Sequence, residues 1–271
     1  MKTHEKKTLA VAMRVRDDLD CLKENIEYHT LVGVEHFFIY DHKSVIPLKD
    51  SLKEYKNVTV KSISNFNKFF TCADLKDCHD QNKDKFKWIA FIDVDEFLVM
   101  KDGNTDLREF LKPYEDYGGL CVWEKRFGSS GHKKKQKSVI QAYTYCTRWS
   151  GGNYKTILNT KFGCPSTNVH WSDYIKGKFG VDENFNKVIT PPIVNKIKTS
   201  EKIQINHYQN RSEEDYAEKT KRWRDAGPES QRSKKNFMEN MWNQTDKPAN
   251  AVKETIIIEF LNKIKKNDKI E

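Results

Sequence analysis

The sequence predicts an α/β fold with a single parallel, doubly wound sheet, and two observations carry this prediction. Apolar, β-prone segments alternate with segments of helical periodicity over roughly the first hundred residues. Polar residues directly follow several of these β-prone segments, at the place where open α/β sheets bind ligands. The chain of 271 residues is long enough to form one large domain of this kind or two smaller ones.

The first half of the chain alternates strands with helices. An apolar run up to Arg14 predicts the first strand, and Asp17 and Asp18 are suited to cap the helix that follows it. Gly33 ends that helix. In chain order the predicted elements are a strand over 9–15, a helix over 19–33, a strand over 36–40, a short helix over 48–55, a strand over 58–63, a helix over 72–82 and a strand over 88–92.

The segment from Trp88 to Leu98 is the most informative part of the chain. Its apolar run is typical of a strand buried on both faces, and it stops at Asp93 and Asp95, with Glu96 next to them. Two carboxylates separated by one residue offer hard oxygen ligands to Mg²⁺ or Mn²⁺, which would take phosphate oxygens as further ligands. The segment alone indicates either a metal-assisted site for a phosphorylated substrate or an acidic turn after a core strand.

Polar residues at the ends of two earlier strands favour the first alternative. Arg14 and Arg16 lie at the end of the first strand, and Asp41 follows the second. These clusters and the acidic pair fall on one edge of one sheet, as in a nucleotide site. The chain has no glycine-rich dinucleotide fingerprint and no P-loop motif. Phosphates must therefore be bound by a metal ion and basic side chains.

The second half is less regular. Its predicted elements are strands over 118–127, 143–149, 155–160 and 203–208, a helix over 213–224 and a terminal helix around 249–265. We expect one domain over 1–228, with a nucleotide-binding half over about 8–100 and an acceptor half over about 101–228, followed by a basic helical extension over 229–271. Trp149, Trp171 and Trp223 are interpreted as core residues, although aromatic faces also suit sugar rings.

Composition limits the partners and the location. The net charge of +9 and a pI near 9.0 suit an anionic partner, which is a nucleic acid, an anionic membrane or a phosphorylated small molecule. No apolar stretch reaches the ~20 residues needed to span a bilayer, and the N-terminal apolar run is too short for a signal peptide. The six cysteines are scattered, without zinc-site spacing. We expect a cytoplasmic, soluble protein that associates at most with a membrane surface and has no transmembrane segment.

Several motifs occur in an order that resembles glycosyltransferase family 92 and related family 2 enzymes. The first is Val15-Arg-Asp-Asp18, and the second is Phe91-Ile-Asp-Val-Asp-Glu-Phe97, which is similar to the D-x-D segment of those enzymes. Phe127-Gly-Ser-Ser-Gly131, Lys155-Thr-Ile157 and Asn206-His-Tyr208 follow in the same order. The resemblance covers roughly residues 8 to 224 and leaves the tail unmatched.

The resemblance implies a GT-A fold, which is a single Rossmann-like nucleotide-binding sheet followed by an irregular acceptor-binding half. It implies sugar transfer from a UDP- or GDP-type donor to a glycan acceptor, usually with inversion and with Mn²⁺ or Mg²⁺. The metal ligands implied are Asp93, Asp95 and His207, with His170 as the alternative histidine. The donor-binding residues implied are Arg14, Arg16, Asp41, Lys155 and Arg211.

Two questions stay open at this stage. Inversion needs a carboxylate near the acceptor hydroxyl to act as a general base, and we favour Asp173 over Glu124. Two other functional classes are compatible with the sequence: a metal-dependent nucleotidyl or phosphoryl transferase, and a basic nucleic-acid-binding protein. The basic residues are dispersed and no nucleic-acid-binding signature is present, so we expect no nucleic-acid partner.

Overall fold

A computed structural model describes residues 5–63, 71–166, 168, 170–190, 195, 198–226 and 235–267. The described residues form a mixed α/β structure around one nine-stranded sheet, which confirms the predicted fold class. The strand order is β3-β2-β1-β4-β8-β6-β12-β5, and β11 pairs with the start of β6. The strands of this sheet are β1 (Lys7–Val15), β2 (His36–Asp41), β3 (Val58–Ser62), β4 (Phe86–Phe91), β5 (Glu96–Met100), β6 (Gly119–Arg126), β8 (Tyr154–Asn159), β11 (Gly180–Val181) and β12 (Ile203–His207).

The first four strands are parallel, as the alternating pattern predicts. β1 lies between β2 and β4, with Val15 opposite Asp41 and Ala12 opposite Phe91. Their carboxyl ends therefore lie on one edge, and backbone bonds continue past them, from the His42 amide to the Val15 carbonyl at 2.8 Å. This edge holds the three polar clusters identified in the sequence.

The second half of the sheet is mixed rather than parallel. β8 runs antiparallel to both β4 and β6, while β12 is parallel to β6 and antiparallel to β5. The register aligns His207 with both Glu96 and Arg126. β5 was not predicted, because the acidic turn was interpreted as the end of the strand and not as a link between two strands. The turn is nonetheless only four residues long, and the Glu96 amide bonds the Asp93 carbonyl at 3.0 Å.

Helices cover both faces of the sheet. They are α1 (Leu19–Leu31), α2 (Leu48–Ser51), α3 (Thr71–Asn82), α4 (Leu107–Leu111), α5 (Val139–Ala142), α6 (Glu213–Ala226), α7 (Lys235–Ala249) and α8 (Ile256–Asn267), with a 3₁₀ turn over Lys112–Tyr114. Alternate residues of β1 pack into two clusters: Leu9 and Val11 on one face, Ala10 and Ala12 on the other. β1 is therefore buried on both faces.

The remaining strands form two small ribbons. β9 (Gly163–Pro165) pairs with β10 (Ser172–Tyr174), and β7 (Tyr145–Cys146) pairs with β13 (Val252–Lys253). The predicted strand over 143–149 is thus shorter, and the predicted terminal helix over 249–265 is divided into the end of α7, β13 and α8. No helix among the described residues combines the length and the apolar character that crossing a bilayer requires.

The structure describes the side chains of two of the three tryptophans that are predicted to lie in the core. Trp171 packs against the buried cluster of Trp123 and Tyr154, as predicted. Trp149 is 83% exposed, so its assignment to the core was wrong. Its short strand ends at Cys146, and the chain then leaves the sheet in a glycine-containing loop, which places the indole outside the packed layers. The side chain of Trp223 lies outside the described part of the chain.

Candidate functional site

The acidic turn between β4 and β5 is paired with two lysines. The Lys155 ammonium donates to Asp93 Oδ2 at 2.7 Å, and the Lys219 ammonium donates to Asp95 Oδ2 at 2.7 Å. Lys155 reaches the turn because antiparallel pairing of β8 with β4 carries it just beyond the last paired residue of β4. Lys219 comes from α6. Each carboxylate of the pair thus has its own ammonium partner.

The two aspartates differ in exposure. Asp93 keeps 52% of its side-chain surface exposed, whereas Asp95 keeps 6%. Burial opposes the ionisation of both, but neighbouring cations outweigh it, with Lys155 dominant at Asp93 and Lys219 dominant at Asp95. The pKa of each carboxyl is therefore held below its usual range. Asp93 is the carboxylate that solvent reaches, and Asp95 is the one enclosed by protein.

His207 lies against the same turn. Its Nε2 is 3.8 Å from Asp95 Oδ1, and its Nδ1 is 2.9 Å from Glu124 Oε2. Burial lowers its pKa, but the bond to Glu124 and the charges of Glu96 and Asp95 raise it further, so the pKa lies above its usual value. The bond to Glu124 orients the ring and directs Nε2 towards Asp95.

Glu124 is itself held in place. Its Oε1 accepts from Arg126 Nε at 2.9 Å, from Arg126 Nη2 at 2.6 Å and from the Asn153 amide at 3.3 Å. Burial opposes its ionisation, and the contacts with His207 and Arg126 outweigh it, which lowers the pKa of Glu124 to about 2. The carboxylate that positions His207 is therefore ionised at neutral pH.

Glu96 is the most buried carboxylate of the site. Its Oε2 accepts from the Asp93 amide at 2.8 Å and lies 3.4 Å from the Lys155 ammonium, while Oε1 has no hydrogen-bond partner among the described residues. Burial raises the pKa of Glu96 to about 7. Donor atoms of Glu96, Glu124 and His207 all lie within 4.8 Å of one another. Carboxylate oxygens are thus concentrated around the imidazole whose Nε2 faces Asp95.

The residues predicted to hold the nucleoside lie at the ends of β1 and β2. Asp41 accepts from the amides of Ser44 and Leu48, both at 3.0 Å, so its carboxylate shapes the loop after β2. Arg14 forms an ion pair with Asp74, and Arg16 Nε lies 3.7 Å from Asp17. Arg14, Arg16 and Asp41 therefore lie at the same edge of the sheet. Each arginine contacts a carboxylate, and Asp41 binds backbone amides.

Arg211 lies in a buried ion pair. Its two Nη groups donate to the two oxygens of Asp18, at 3.1 and 2.6 Å, and only 3% of its side chain is exposed. Asp18 is the residue before α1, and its carboxylate bonds Arg211 instead of capping that helix. This pair joins the start of α1 to the segment before α6.

Asp173 and His170 lie towards the acceptor half. Asp173 is on β10, its side chain is exposed, and no hydrogen bond or ion pair links it to the acidic turn in the described part of the chain. Burial and then the charge of Lys155 lower the pKa of His170. The structure thus brings Asp93, Asp95, Lys155 and His207 together, and leaves Asp173 outside this cluster.

Lys219 and Glu96 were not identified from the sequence. Lys219 and Arg222 lie one turn apart on α6, and Arg222 bonds the Asp17 carbonyl at 3.1 Å. Several basic residues lie on this helix, and the sequence pattern does not distinguish one that faces a carboxylate from one that faces solvent. Glu96 begins the apolar run of β5, and recognising that strand would have placed it in the site.

Comparisons with known proteins agree with the resemblance in the sequence. The glycosyltransferase family 92 model matches residues 11–256. A family 92 protein from Oryza sativa subsp. japonica is 30% identical over 161 residues, which is 56% of this chain and 26% of that protein. One from Ricinus communis is 29% identical over 165 residues, with 58% and 29% covered. The chain therefore spans only between 26% and 29% of the length of these curated relatives.

Solved structures show a weaker likeness. The crystal structures of S. aureus TarS, without and with UDP, both give a TM-score of 0.39, at 12% and 14% identity, and cover 56% of this chain and 47% of that one. A likeness at this level assigns neither a ligand nor a reaction to this chain. The family model, by contrast, matches well over half of the sequence and extends across every residue of the acidic site. On that ground the chain belongs to glycosyltransferase family 92.

Proposed function

We propose that this chain transfers a sugar from a nucleotide-diphosphate donor to a hydroxyl group of a glycan acceptor, with inversion and with the help of a divalent cation. The observation that carries the proposal is the acidic turn after β4, where two aspartates, two lysines and one oriented histidine meet at the ligand-binding edge of the sheet. Family membership supports the same reaction class.

Asp93, Asp95 and His207 would hold the cation. Metal–ligand bonds of roughly 2.1 Å allow two donor atoms on one ion to be up to about 4.2 Å apart, and His207 Nε2 and Asp95 Oδ1 are 3.8 Å apart. Carboxylate with imidazole favours Mn²⁺ over Mg²⁺, because Mg²⁺ takes oxygen ligands. The ion would neutralise negative charge that develops on the departing diphosphate.

Lys155 and Lys219 would act on the same charge. Their ammonium groups already lie at the two aspartates, and the charge of Asp93 raises the pKa of Lys155 despite its burial, so this lysine remains a cation at neutral pH. Preorganised cations next to a leaving group stabilise it without reorganising at the moment of reaction. Lys219 thus joins Lys155 as a proposed diphosphate contact.

The ends of β1 and β2 would hold the nucleoside. We assign Arg14, Arg16 and the loop shaped by Asp41 to this role, since they lie on the same edge as the acidic turn. Arg211 was assigned to the diphosphate. Because Arg211 is buried against Asp18, we propose that it acts on the diphosphate site indirectly. It would fix α6 so that Lys219 faces Asp95.

The general base is assigned to Asp173, which is exposed on β10, in the small ribbon that β10 forms with β9. An exposed carboxylate is available to an acceptor hydroxyl, whereas Glu124 has both oxygens bound to His207 and Arg126. An Asp173→Asn variant should retain donor binding and lose transfer.

Calorimetry tests the proposed function. We expect UDP or GDP to bind in the presence of Mn²⁺ and to bind at least tenfold more weakly after chelation, while ATP binds poorly. A donor-hydrolysis screen across nucleotide sugars would then identify the sugar. If no nucleotide diphosphate binds in a metal-dependent way, the proposal fails. Metal-dependent ATP binding would favour a nucleotidyl or phosphoryl transferase, and binding of a DNA duplex with a steep salt dependence would favour a nucleic-acid-binding protein.

A further inference from the structure

The segment between β7 and β8 exposes two aromatic side chains. Trp149 is 83% exposed and Tyr145 is 40% exposed. Among the large hydrophobic side chains that the structure describes as exposed, one further aromatic, Phe185, is present. Aromatic side chains gain much from burial, and Trp and Tyr are enriched where a surface contacts a ligand or partner. An indole exposed to this degree therefore indicates a contact surface.

This segment is bonded to β6, the strand whose Glu124 binds His207. The Thr147 amide donates to the Arg126 carbonyl at 2.9 Å, and the Gly151 amide donates to the Glu124 carbonyl at 2.9 Å. Trp149 lies between these two bonds. Because consecutive Cα atoms are 3.8 Å apart, the Trp149 Cα is within roughly 7.6 Å of the Gly151 Cα. The backbone of Trp149 is thus held near the edge of the sheet that carries Glu124 and His207.

Two glycines allow the segment between β7 and β8 to pass close to β6. Gly151 and Gly152 have φ of +116° and +117°, a backbone region that residues with a side chain rarely adopt. A Cβ at Gly152 would lie 3.3 Å from Arg126 Nη2 and 3.4 Å from Glu124 Oε1. The backbone therefore passes directly over the Arg126–Glu124 pair. The loop is shaped to approach the site while its tip, with Trp149, projects away from the core.

The position of the segment in the sheet separates it from the proposed nucleoside residues. The proposed nucleoside residues follow β1 and β2, the acidic turn follows β4, and Trp149 precedes β8, on the far side of the turn from the nucleoside. In the proposed function this side is left for the acceptor, because the nucleoside is assigned to the ends of β1 and β2 and the diphosphate to the acidic turn. One face of a sugar ring is lined by C–H groups, which pack on an aromatic face, and its hydroxyls need polar partners.

We infer that Trp149 forms a stacking platform for a sugar ring of the acceptor glycan, with Tyr145 as a second contact on the same segment. The inference rests on the proposed function, because it assigns the acceptor side of the same site. Polar groups suited to the ring hydroxyls lie on the same segment. The Asn153 side chain is one of them, and the Thr147 hydroxyl, which donates to the Trp149 carbonyl at 2.9 Å, keeps its oxygen as an acceptor.

Saturation-transfer NMR without donor tests the platform. The probes are lactose, cellobiose, N,N′-diacetylchitobiose and α-mannobiose, and the proteins are the full chain, Trp149→Ala, Trp149→Phe and the control Phe185→Ala. Phe185 is also an exposed aromatic, but it lies next to β11, at the opposite end of β6 from the site. We expect binding of at least one disaccharide to weaken roughly tenfold in Trp149→Ala. Trp149→Phe should retain most of the affinity, and Phe185→Ala should bind like the parent.

Two outcomes overturn the inference: equal binding by Trp149→Ala and the parent chain, or no binding of any of the four disaccharides. Metal-dependent UDP and GDP binding is measured on the same samples. If the parent chain binds a disaccharide through Trp149 but binds neither UDP nor GDP, the proposed transferase function is refuted and a saccharide site at Trp149 remains. Nucleotide binding with no role for Trp149 would refute the platform alone.

Discussion

At the scale of single residues, the site is a set of charges that hold one another in place. Glu124 binds His207, Arg126 binds Glu124, and Lys219 binds Asp95. The sequence predicts Asp93, Asp95, Lys155 and His207 as site residues because each lies in a motif with a chemical meaning, and the structure brings these four side chains together. Lys219 could not be predicted in this way, because a lysine on an amphipathic helix has the same sequence pattern whether it faces solvent or a carboxylate.

Asp95→Asn should abolish turnover and leave the fold intact. The amide keeps the shape of the side chain but removes the charge that binds a cation and Lys219. We expect kcat to fall by about 10³-fold or more, because removing one preorganised charged group from a site has an effect of this size. Calorimetry should show an unchanged thermal midpoint. Asp102→Asn, on the exposed turn after β5, is the matched control. Unchanged activity of Asp95→Asn would exclude the proposed metal site.

Glu124→Gln should weaken Mn²⁺ binding without removing a proposed ligand. Arg126 donates two bonds to Oε1, which keeps the glutamine carbonyl oxygen at that position and turns the NH₂ group towards His207 Nδ1. Two donors then face each other, so Nε2 loses its fixed orientation towards Asp95. Loss of such an outer contact costs about 10–100-fold in metal affinity, which titration of free Mn²⁺ by electron paramagnetic resonance measures directly. Glu115→Gln, at an exposed glutamate, serves as the control. An affinity equal to that of the parent chain would show that Glu124 does not position His207.

At the scale of elements, the predictions hold where the hydrophobic period is clear and fail where strands are short. The strands β1–β4 and the helices α1 and α3 agree with their predicted ranges to within about two residues. β9, β10 and β11 are two or three residues long, too short for a period to show. β5 was missed because its apolar residues directly follow the acidic turn, which was interpreted as the end of a strand and not as a link between two strands.

The contact between α1 and β5 makes a pH prediction possible. His29 is fully buried on α1; its Nε2 accepts from the Leu98 amide at 3.1 Å, and its Nδ1 faces the Asn25 side chain at 2.8 Å. Burial lowers the pKa of His29 from 6.5 to about 4. Below pH 6.5 the unfolded chain takes up a proton that the folded chain refuses. The contribution of His29 is therefore present above pH 6.5 and lost as pH falls towards 4.

Urea unfolding of the parent chain and of His29→Gln checks this contribution. At about 1.4 kcal/mol per pKa unit, the free energy of unfolding of the parent should fall by ~3 kcal/mol more than that of the variant between pH 7.5 and pH 4. Glutamine can still accept from the Leu98 amide, and it does not titrate. Curves that remain parallel over this interval would contradict the assignment.

At the scale of the whole molecule, the C-terminal helix α8 belongs to the main packed core, and α7 is bonded to the loop after β6. Ile257, Phe260 and Leu261 of α8 are in the same buried cluster as β1 and α1. Asp246 of α7 accepts from the Ser129 amide and hydroxyl, at 2.7 and 2.9 Å. The domain boundary predicted near residue 228 remains a prediction. It was based on a change in composition, and composition does not show against which part of the molecule the apolar side of a helix packs.

Phe260→Ala should destabilise the molecule as a single unit. Its ring lies 6.4 Å from that of Tyr28 and is 8% exposed, so removing it leaves a cavity against α1. Truncation of a buried phenylalanine costs about 3–5 kcal/mol. Differential scanning calorimetry should show one transition at a lower temperature, whereas Lys263→Ala, on the exposed face of α8, should leave it unchanged. A separate early transition would instead show that the C-terminal helices unfold independently.

The order of strands in the sheet also affects how the protein is made. β4 is synthesised before residue 92, yet its second neighbour, β8, begins only at Tyr154. His207 and Lys219 come later still. A growing chain therefore carries an unpaired, apolar edge strand for more than sixty residues of synthesis, and such edges invite pairing with other chains. Chaperone protection of the nascent chain would matter most in that interval, before the acidic turn receives its lysines and its histidine.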